Sequence, residues 1–112
     1  MSCLFCKIIA REIPSTIVFE NEYALAFRDI KPAAPTHVLV IPKKHVRGIA
    51  EAEEGDVEAL GQVLLAARAV AAQEKLDGGF RLAINNGPDA GQTVFHLHVH
   101  VLGGRAMSWP PG

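Results

Sequence analysis

Three of the five histidines in this chain occupy alternate positions in one short segment, FHLHVHVLGG, as His96, His98 and His100. Side chains alternate across a β-strand, so the three imidazoles are expected on one face and the apolar residues between them on the other. Imidazole binds zinc, iron and copper, and a neutral imidazole is also a nucleophile. Alternate side chains lie ~6.6 Å apart along a strand, so the spacing leaves both a metal site and nucleophilic catalysis open.

The segment before the histidines, NNGPDAGQT (85–93), is rich in glycine and in hydrogen-bond donors. Glycine lets backbone N–H groups approach an anion closely, and Gln92 and Thr93 add side-chain donors. Alone, such a segment is as typical of a turn as of an anion site. Because it leads directly into the histidines, it favours a site in which a phosphate lies beside an imidazole.

A second group of metal ligands is the pair Cys3-x-x-Cys6 near the N-terminus. A redox pair of the thioredoxin kind needs a β-α-β context, and a zinc ribbon needs a second cysteine pair; the sequence offers neither. Two thiolates and two histidines could still complete a tetrahedral zinc site. The remaining interpretation is a pair of free thiols.

The composition predicts a single domain over residues 1–112, with 49% hydrophobic residues to form its core. The net charge is −1 and acids and bases are interspersed, which leaves no basic block for nucleic acid or an anionic membrane. The first apolar run is interrupted by Lys7, and no run approaches the ~20 residues that span a bilayer. We therefore expect a cytoplasmic protein that binds neither nucleic acid nor membrane.

The apolar pattern predicts the element order β-β-β-α-β-β, with small helices near the start and after His45. The prolines in DIKPAAPT indicate a rigid loop between the second and third strands. The predicted strands are 15–20 and 23–29 as a hairpin, 37–42, 80–85 and the histidine segment.

The main helix is predicted over about 55–75, where apolar residues recur at helical spacing. Consecutive strands favour an α+β fold, in which an antiparallel sheet packs against this one helix. The residues expected in the buried stripe are Val57, Leu60, Leu64, Ala67 and Ala71, with Val63 and Val70 widening it.

Longer segments resemble a known family. HLHVHVL is similar to the His-x-His-x-His-x-x pattern of the histidine-triad (HIT) superfamily, and FCKIIAREIPS, AFRDIKPAAPTHVLVIPKKH, GQTVFHLHVHVLGG and WPPG resemble its HINT branch of nucleotide-binding proteins. The resemblance extends over nearly the whole chain. It implies the HIT fold, with the sheet continued across a homodimer, and hydrolysis of purine nucleoside 5′-phosphoramidates to the nucleoside monophosphate.

The resemblance implies a role for each reactive side chain. The middle histidine of the family attacks the α-phosphorus and carries the nucleotide covalently, which corresponds to His98 here. His100, Gln92 and Thr93 are expected to stabilise the phosphate, and Thr93 stands where the family usually has serine. Two other functions stay open: a nucleotide-sensing module whose hydrolysis is incidental, and a metal-dependent enzyme that uses the histidines as ligands.

The resemblance also implies the nucleotide site. Asp29 is expected to bind the ribose, with Ile30 beside it, and Phe5, Ile8 and Phe27 form an apolar slot for a purine base. Other implied nucleotide-site residues are His37 as support behind the triad, Asn85, Gly91, Val94 and, near the active site of a partner subunit, Trp109.

Some relatives hold structural zinc with a cysteine pair, the histidine after PKK and the first histidine of the triad. The matching residues are Cys3, Cys6, His45 and His96. This resemblance therefore implies a structural Zn²⁺ and leaves His98 and His100 free for the chemistry, which needs no cofactor.

Overall fold

The computed structural model describes residues 3–112, and their element order is the predicted one. The small helices at the start and after His45 are also confirmed. The described residues form the helices α1 (Leu4–Ile9) and α2 (Val57–Gln73), the strands β1 (Ile17–Glu20), β2 (Ala24–Arg28), β3 (Thr36–Pro42), β4 (Phe80–Ala83) and β5 (Val99–Gly103), and 3-10 helices at Ile49–Glu51, Glu54–Asp56 and Pro88–Ala90.

The five strands form one sheet in the order β1-β2-β3-β5-β4, and every neighbouring pair is antiparallel. The predicted hairpin between β1 and β2 is confirmed. Asn21 makes its turn, since its side-chain oxygen accepts hydrogen bonds from the backbone N–H groups of Tyr23 and Ala24. β1 and β4 are the edge strands.

Helices cover both faces of the sheet. On one face α2 packs against small and β-branched side chains, among them Ala26, Val40 and Val101. On the other face α1 packs through Phe5 and Ile8. β2 and β3 are therefore buried on both sides, which explains their nearly continuous apolar sequences. The α2 face is built from Ala24, Ala26, Val38, Val40, Val99 and Val101 on the strands and Val63, Ala66, Ala67, Val70 and Ala71 on the helix.

The predicted extent of α2 is confirmed, but the predicted buried stripe is partly wrong. Val57 is 71% exposed and Leu64 is 48% exposed, whereas Val63, Ala66 and Val70 are buried. Helical spacing alone cannot separate two adjacent apolar stripes. Small side chains form the stripe that meets the sheet, and the larger leucines Leu64 and Leu65 remain at the surface.

The regular histidine strand is shorter than predicted, because β5 begins at Val99 and contains only His100 of the three histidines. Continuing the register between β3 and β5 would place Leu97 opposite Pro42, which has no N–H to donate. Leu97 donates its N–H instead to the carbonyl of Val46, beyond the end of β3. The alternation survives, since Val99 and Val101 face α2.

The predicted strand 80–85 is also shorter, because β4 ends at Ala83. Asn85 therefore lies in the loop after β4 and not at the end of the strand. Among residues 3–112, no helix is long and apolar enough to cross a membrane.

Candidate active site and metal centre

A cavity of about 770 Å³ opens between α1 and the ends of β2 and β5. One part of its wall is apolar, and the other carries the histidines and the segment that precedes them. The predicted site residues in its wall are Phe5, Ile8, Phe27, Asp29, Ile30, Gly91, Thr93, Val94, His98 and His100.

His98 is a buried residue of the cavity wall. Its Nδ1 lies 2.8 Å from the carbonyl oxygen of His96. A carbonyl can only accept, so Nδ1 carries the ring proton and Nε2 presents its lone pair. The ring of Phe5 meets His98 edge-on at 5.1 Å and restricts its orientation. The geometry thus gives His98 a fixed tautomer with a free nucleophilic nitrogen.

His100 lies next to His98 in the wall, with ring centroids 5.0 Å apart. The pKa of His100 is lowered to about 4, mainly by burial. The neighbouring His98 and His37 contribute to this lowering, and the carboxylate of Asp29 opposes it by a smaller amount. His100 is therefore neutral at neutral pH. Its Nδ1 lies 2.8 Å from Nε2 of His37, while its own Nε2 is buried and has no hydrogen-bond partner among the described residues.

The rim of the cavity carries Asp29 and Ile30. Oδ1 of Asp29 accepts a hydrogen bond from the backbone N–H of Lys31 at 2.8 Å, and Oδ2 lies 3.4 Å from Nε2 of His37. The Asp29 side chain is 20% exposed, so hydroxyl groups of a ligand could reach it. Ile30, the next residue at the rim, is 92% exposed.

The loop before the histidines is held together by Gln92. Its side-chain amide donates to the carbonyls of Arg47 and Val94 and accepts from the N–H of Gly87. The backbone N–H of Gln92 also donates within the loop, as does that of Gly91. The side-chain amide and the backbone N–H of Gln92 are thus hydrogen-bonded within the protein and hold the loop in place, and the contact of Gln92 with a phosphate stays a prediction.

Two glycines give this loop its path. Gly87 and Gly91 have φ angles of 90° and 92°, a conformation that residues with a side chain rarely adopt. The turn at Gly91 brings Thr93 into the cavity wall next to the histidines. The loop thus offers a hydroxyl to a ligand.

The cysteine pair meets two histidines in one cluster. His45 Nδ1 and His96 Nδ1 lie 3.1 Å apart, Cys3 Sγ is 3.4 Å from His96 Nδ1, and Cys6 Sγ is 3.4 Å from His45 Nδ1. Zinc bonds of about 2.3 Å to sulfur and 2.0–2.1 Å to nitrogen at tetrahedral angles place N and S ligands about 3.5–3.6 Å apart and two nitrogens about 3.3 Å apart. The cluster fits zinc closely.

The tautomer of His96 also fits a metal ligand. Its Nε2 lies 2.8 Å from the carbonyl oxygen of Pro42, so Nε2 carries the proton and Nδ1 presents its lone pair to the cluster. Burial lowers the pKa of His96 to about 4, which keeps the ring neutral. Burial also raises the pKa of the Cys6 thiol above its ordinary value. A bound cation would favour the thiolate.

Four of the predicted nucleotide-site residues do not line the cavity: Gln92, which is buried in the loop, and His37, Asn85 and Trp109. His37 is buried behind His100, and Asn85 lies beside the loop, where its amide nitrogen faces Gly91. Trp109 is 80% exposed, near β4, where its ring lies 5.9 Å from the Arg81 guanidinium. Sequence reasoning missed several other residues of the cavity wall. The available signal was that they lie in, next to or paired with α1 or β2. They are Leu4, Ile13, Pro14, Ser15, Thr16, Arg28 and Leu39.

A five-stranded antiparallel sheet with one main helix and a histidine triad beside a glycine loop defines a class of nucleotide-handling α+β proteins. The HIT domain family model matches residues 10–107 of this chain. The chain belongs to the HIT domain family, in its HINT-like branch.

Individual relatives are similar to this chain over almost its whole length. A maize protein named 14 kDa zinc-binding protein is 57% identical over 97% of this chain and 87% of its own. An Arabidopsis thaliana protein named adenylylsulfatase HINT1 is 53% identical over 97% of this chain and 76% of its own. The solved structure of a HIT family hydrolase from Legionella pneumophila is 52% identical, covers 99% of this chain and all of that one, and superposes with a TM-score of 0.96.

Proposed function

We propose that this protein hydrolyses purine nucleoside 5′-phosphoramidates to the nucleoside monophosphate through a covalent nucleotidyl-His98. The observation that carries the proposal is the 2.8 Å hydrogen bond from His98 Nδ1 to the His96 carbonyl. It leaves Nε2 of a cavity-lining imidazole as a free lone pair, which is what a nucleophile requires. The names of similar proteins, a hydrolase and an adenylylsulfatase, support a hydrolase that acts on a nucleotide derivative.

The reaction divides into two displacements at phosphorus. In the first, Nε2 of His98 bonds to the α-phosphorus, the phosphorus–nitrogen bond of the substrate breaks, and the amine leaves with the electron pair and takes up a proton from solvent. In the second, water attacks the phosphorus, its proton passes to solvent, and His98 leaves as the neutral imidazole. Two easier steps replace one difficult step.

The phosphate in both steps meets the polar wall of the cavity. His100 is neutral, and its unpartnered Nε2 is suited to donate a hydrogen bond to a non-bridging oxygen. The Thr93 hydroxyl lies in the same wall and could serve the phosphate or the leaving group. These hydrogen bonds stabilise the transition state most strongly, because negative charge develops there on the phosphate oxygens.

The rest of the cavity suits a purine ribonucleotide. Phe5, Ile8 and Phe27 provide an apolar wall large enough for a purine, and Asp29 at the rim can accept hydrogen bonds from both hydroxyls of a ribose. This arrangement supports adenosine or guanosine derivatives as the substrate class.

We also propose that Cys3, Cys6, His45 and His96 hold a structural Zn²⁺. The ligand spacing and the tautomer of His96 support this site, and similar proteins from maize and mustard are named zinc-binding proteins. Bound there, the ion would fix α1 against the histidine segment, whereas His98 and His100 remain free.

A homodimer that joins the β4 edges of two subunits is part of the same proposal. The edge strand β4 exposes Phe80 and Leu82, and the outer face of α2 exposes Leu64 and Leu65. An exposed apolar edge of this kind is normally covered. The C-terminal tail, SWPPG (108–112), is held against β4, because Arg81 donates a hydrogen bond to the Ser108 carbonyl. Trp109 would therefore lie at the subunit interface.

The variant His98→Ala tests the enzyme against the alternative of a nucleotide-sensing module. We expect turnover of an adenosine phosphoramidate to fall by far more than tenfold, whereas AMP affinity, which also shows that the variant is folded, stays within a few-fold. Rapid acid quench of the wild type followed by intact mass should reveal an AMP adduct that the variant lacks. A variant that kept more than about a tenth of the rate, a loss under ~1.4 kcal/mol, would contradict the nucleophile assignment.

A further inference from the structure

Asp29 and His100 in the cavity wall and His37 behind it form a chain of close polar contacts that the chemistry at His98 does not itself use. Nε2 of His37 lies 2.8 Å from Nδ1 of His100 and 3.4 Å from Oδ2 of Asp29. The three side chains could in principle hold a metal ion, since their ligand atoms lie within 4.8 Å of one another. The protonation of His37 distinguishes a metal site from a hydrogen-bonded chain.

The backbone determines that protonation. The N–H of Ala33 donates to Nδ1 of His37 at 3.0 Å. A backbone amide cannot accept, so Nδ1 holds a lone pair and the proton of neutral His37 is on Nε2. A metal at Nε2 would require the ring proton on Nδ1, where the Ala33 hydrogen already points. The cluster is therefore a hydrogen-bonded chain.

The same logic fixes His100. The Nε2–H of His37 points to Nδ1 of His100, so Nδ1 accepts and the proton of neutral His100 is on Nε2. This Nε2 is the buried atom without a partner, on a residue of the cavity wall. The orientation of one backbone amide at Ala33 thus propagates through His37 and makes His100 a donor towards the phosphate site.

Asp29 competes for the same proton. Its Oδ2 lies 3.4 Å from Nε2 of His37 and attracts the proton on that nitrogen. Its Oδ1 accepts a hydrogen bond from the backbone N–H of Lys31, and the side chain lies at the rim of the cavity. Ribose hydroxyls that donate to Asp29 would disperse its negative charge and release the His37 proton towards His100. A stronger hydrogen bond into Nδ1 makes Nε2–H a better donor, because hydrogen bonds in a chain polarise one another.

We propose that Asp29, His37 and His100 form a relay through which an occupied ribose subsite strengthens the hydrogen bond from His100 to the phosphate. The inference rests on the proposed function and gives it a substrate preference: the ribose 2′-hydroxyl contributes to the rate of the chemical step as well as to binding. His37 is the positioning residue that couples the two subsites.

Kinetics with matched substrates tests the coupling. For wild type, we expect the 2′-deoxy analogue of an adenosine phosphoramidate to lose kcat by about tenfold, within the 5–150-fold range of typical couplings between sites. In His37→Leu, kcat for the ribonucleotide should fall and the ratio of ribo to deoxy kcat should approach one, while their KM values stay different because Asp29 remains. The conservative His37→Gln, whose amide can both accept and donate, should restore part of the ratio. An unchanged kcat ratio in His37→Leu would overturn the relay.

NMR of ¹⁵N-histidine-labelled wild-type protein provides a test that needs neither turnover nor a folded variant. We expect the Nε2–H tautomer for both His37 and His100, and a larger shift of the His100 nitrogens with AMP than with 2′-deoxy-AMP. An Nδ1–H tautomer of His100, or equal shifts with the two nucleotides, would overturn the relay even if the hydrolase is active. Conversely, the expected shifts without any hydrolysis would support the relay and contradict the proposed activity.

Discussion

The role of each triad histidine is set by a backbone group, which contacts the second ring nitrogen directly in His96 and His98 and acts through the side chain of His37 in His100. The carbonyl of Pro42 turns Nδ1 of His96 towards the cysteines, and the carbonyl of His96 leaves Nε2 of His98 free. The N–H of Ala33 acts through His37 to set His100. The three imidazoles of one segment thus take two tautomers, Nε2–H for His96 and His100 and Nδ1–H for His98, and each presents a different nitrogen or hydrogen to its own site.

The buried neutral state of His100 makes stability depend on pH. The pKa of His100 is about 4 in the folded protein, below the ordinary value of about 6.5 expected when unfolded. The unfolded chain therefore binds more protons between these values, and the free energy of unfolding falls as pH falls through that window. Urea unfolding at about pH 7.5 and about pH 5 should show a smaller loss for His100→Gln than for wild type. Equal losses would contradict the assignment.

At the scale of elements, α1 is too short to be stable on its own and depends on what it packs against. Its apolar residues Phe5 and Ile8 are at the same time core residues and part of the cavity wall. Cys3 and Cys6 at its start and middle face His45 and His96. The proposed zinc ion would therefore organise the base slot at a distance from the reacting atoms.

Removal of zinc should accordingly weaken the fold and the base slot together. We expect one zinc per chain in protein purified without added metal, and the double variant Cys3→Ser/Cys6→Ser should lose at least about 5 °C in Tm and bind AMP more weakly. Substitution with Co²⁺ would report a tetrahedral site with sulfur ligands by its absorption. A stoichiometry near zero, with the double variant as stable as wild type, would show two free thiols instead.

The loop around Gln92 is an element in which one side chain makes three hydrogen bonds to the backbone. Gln92→Leu keeps the volume but leaves the Gly87 N–H and the Arg47 and Val94 carbonyls without their partner. We expect a loss of about 1–3 kcal/mol in the free energy of unfolding, with a raised KM, because the loop also positions Thr93. The matched control is Gln62→Leu on the surface of α2, which should change stability by no more than about 0.5 kcal/mol.

At the scale of the whole molecule, the sheet leaves one apolar edge at β4 and one apolar helix face uncovered. Sedimentation velocity at micromolar concentration should show a dimer for wild type and a shift towards monomer for Leu82→Lys. The matched control, Ile49→Lys, replaces a similarly exposed apolar residue outside β4 and should remain dimeric. A monomeric wild type would contradict the dimer. If Trp109→Ala leaves the substrate preference unchanged, the proposed role of Trp109 at the site is wrong, whereas the dimer is not affected.

The sequence by itself determined the features that depend on neighbours along the chain. The order of strands and helices, the hairpin at Asn21 and the extent of α2 follow from local periodicity and turn residues. The types of residue in the two clusters were also visible, because metal ligands and nucleophiles are recognisable as side chains. Family resemblance added their assignment to Cys3, Cys6, His45 and His96 on one side and His98 and His100 on the other.

Only the tertiary structure decided which nitrogen of each imidazole is free and which apolar stripe of α2 is buried. The partner of His96 is the carbonyl of Pro42, 54 residues away in sequence, and the partner of His100 is His37, 63 residues away. Periodicity along the chain carries no information about such contacts. A hydrogen bond has a direction that only the folded backbone can supply, and for this protein that direction distinguishes a ligand, a nucleophile and a donor among three identical side chains.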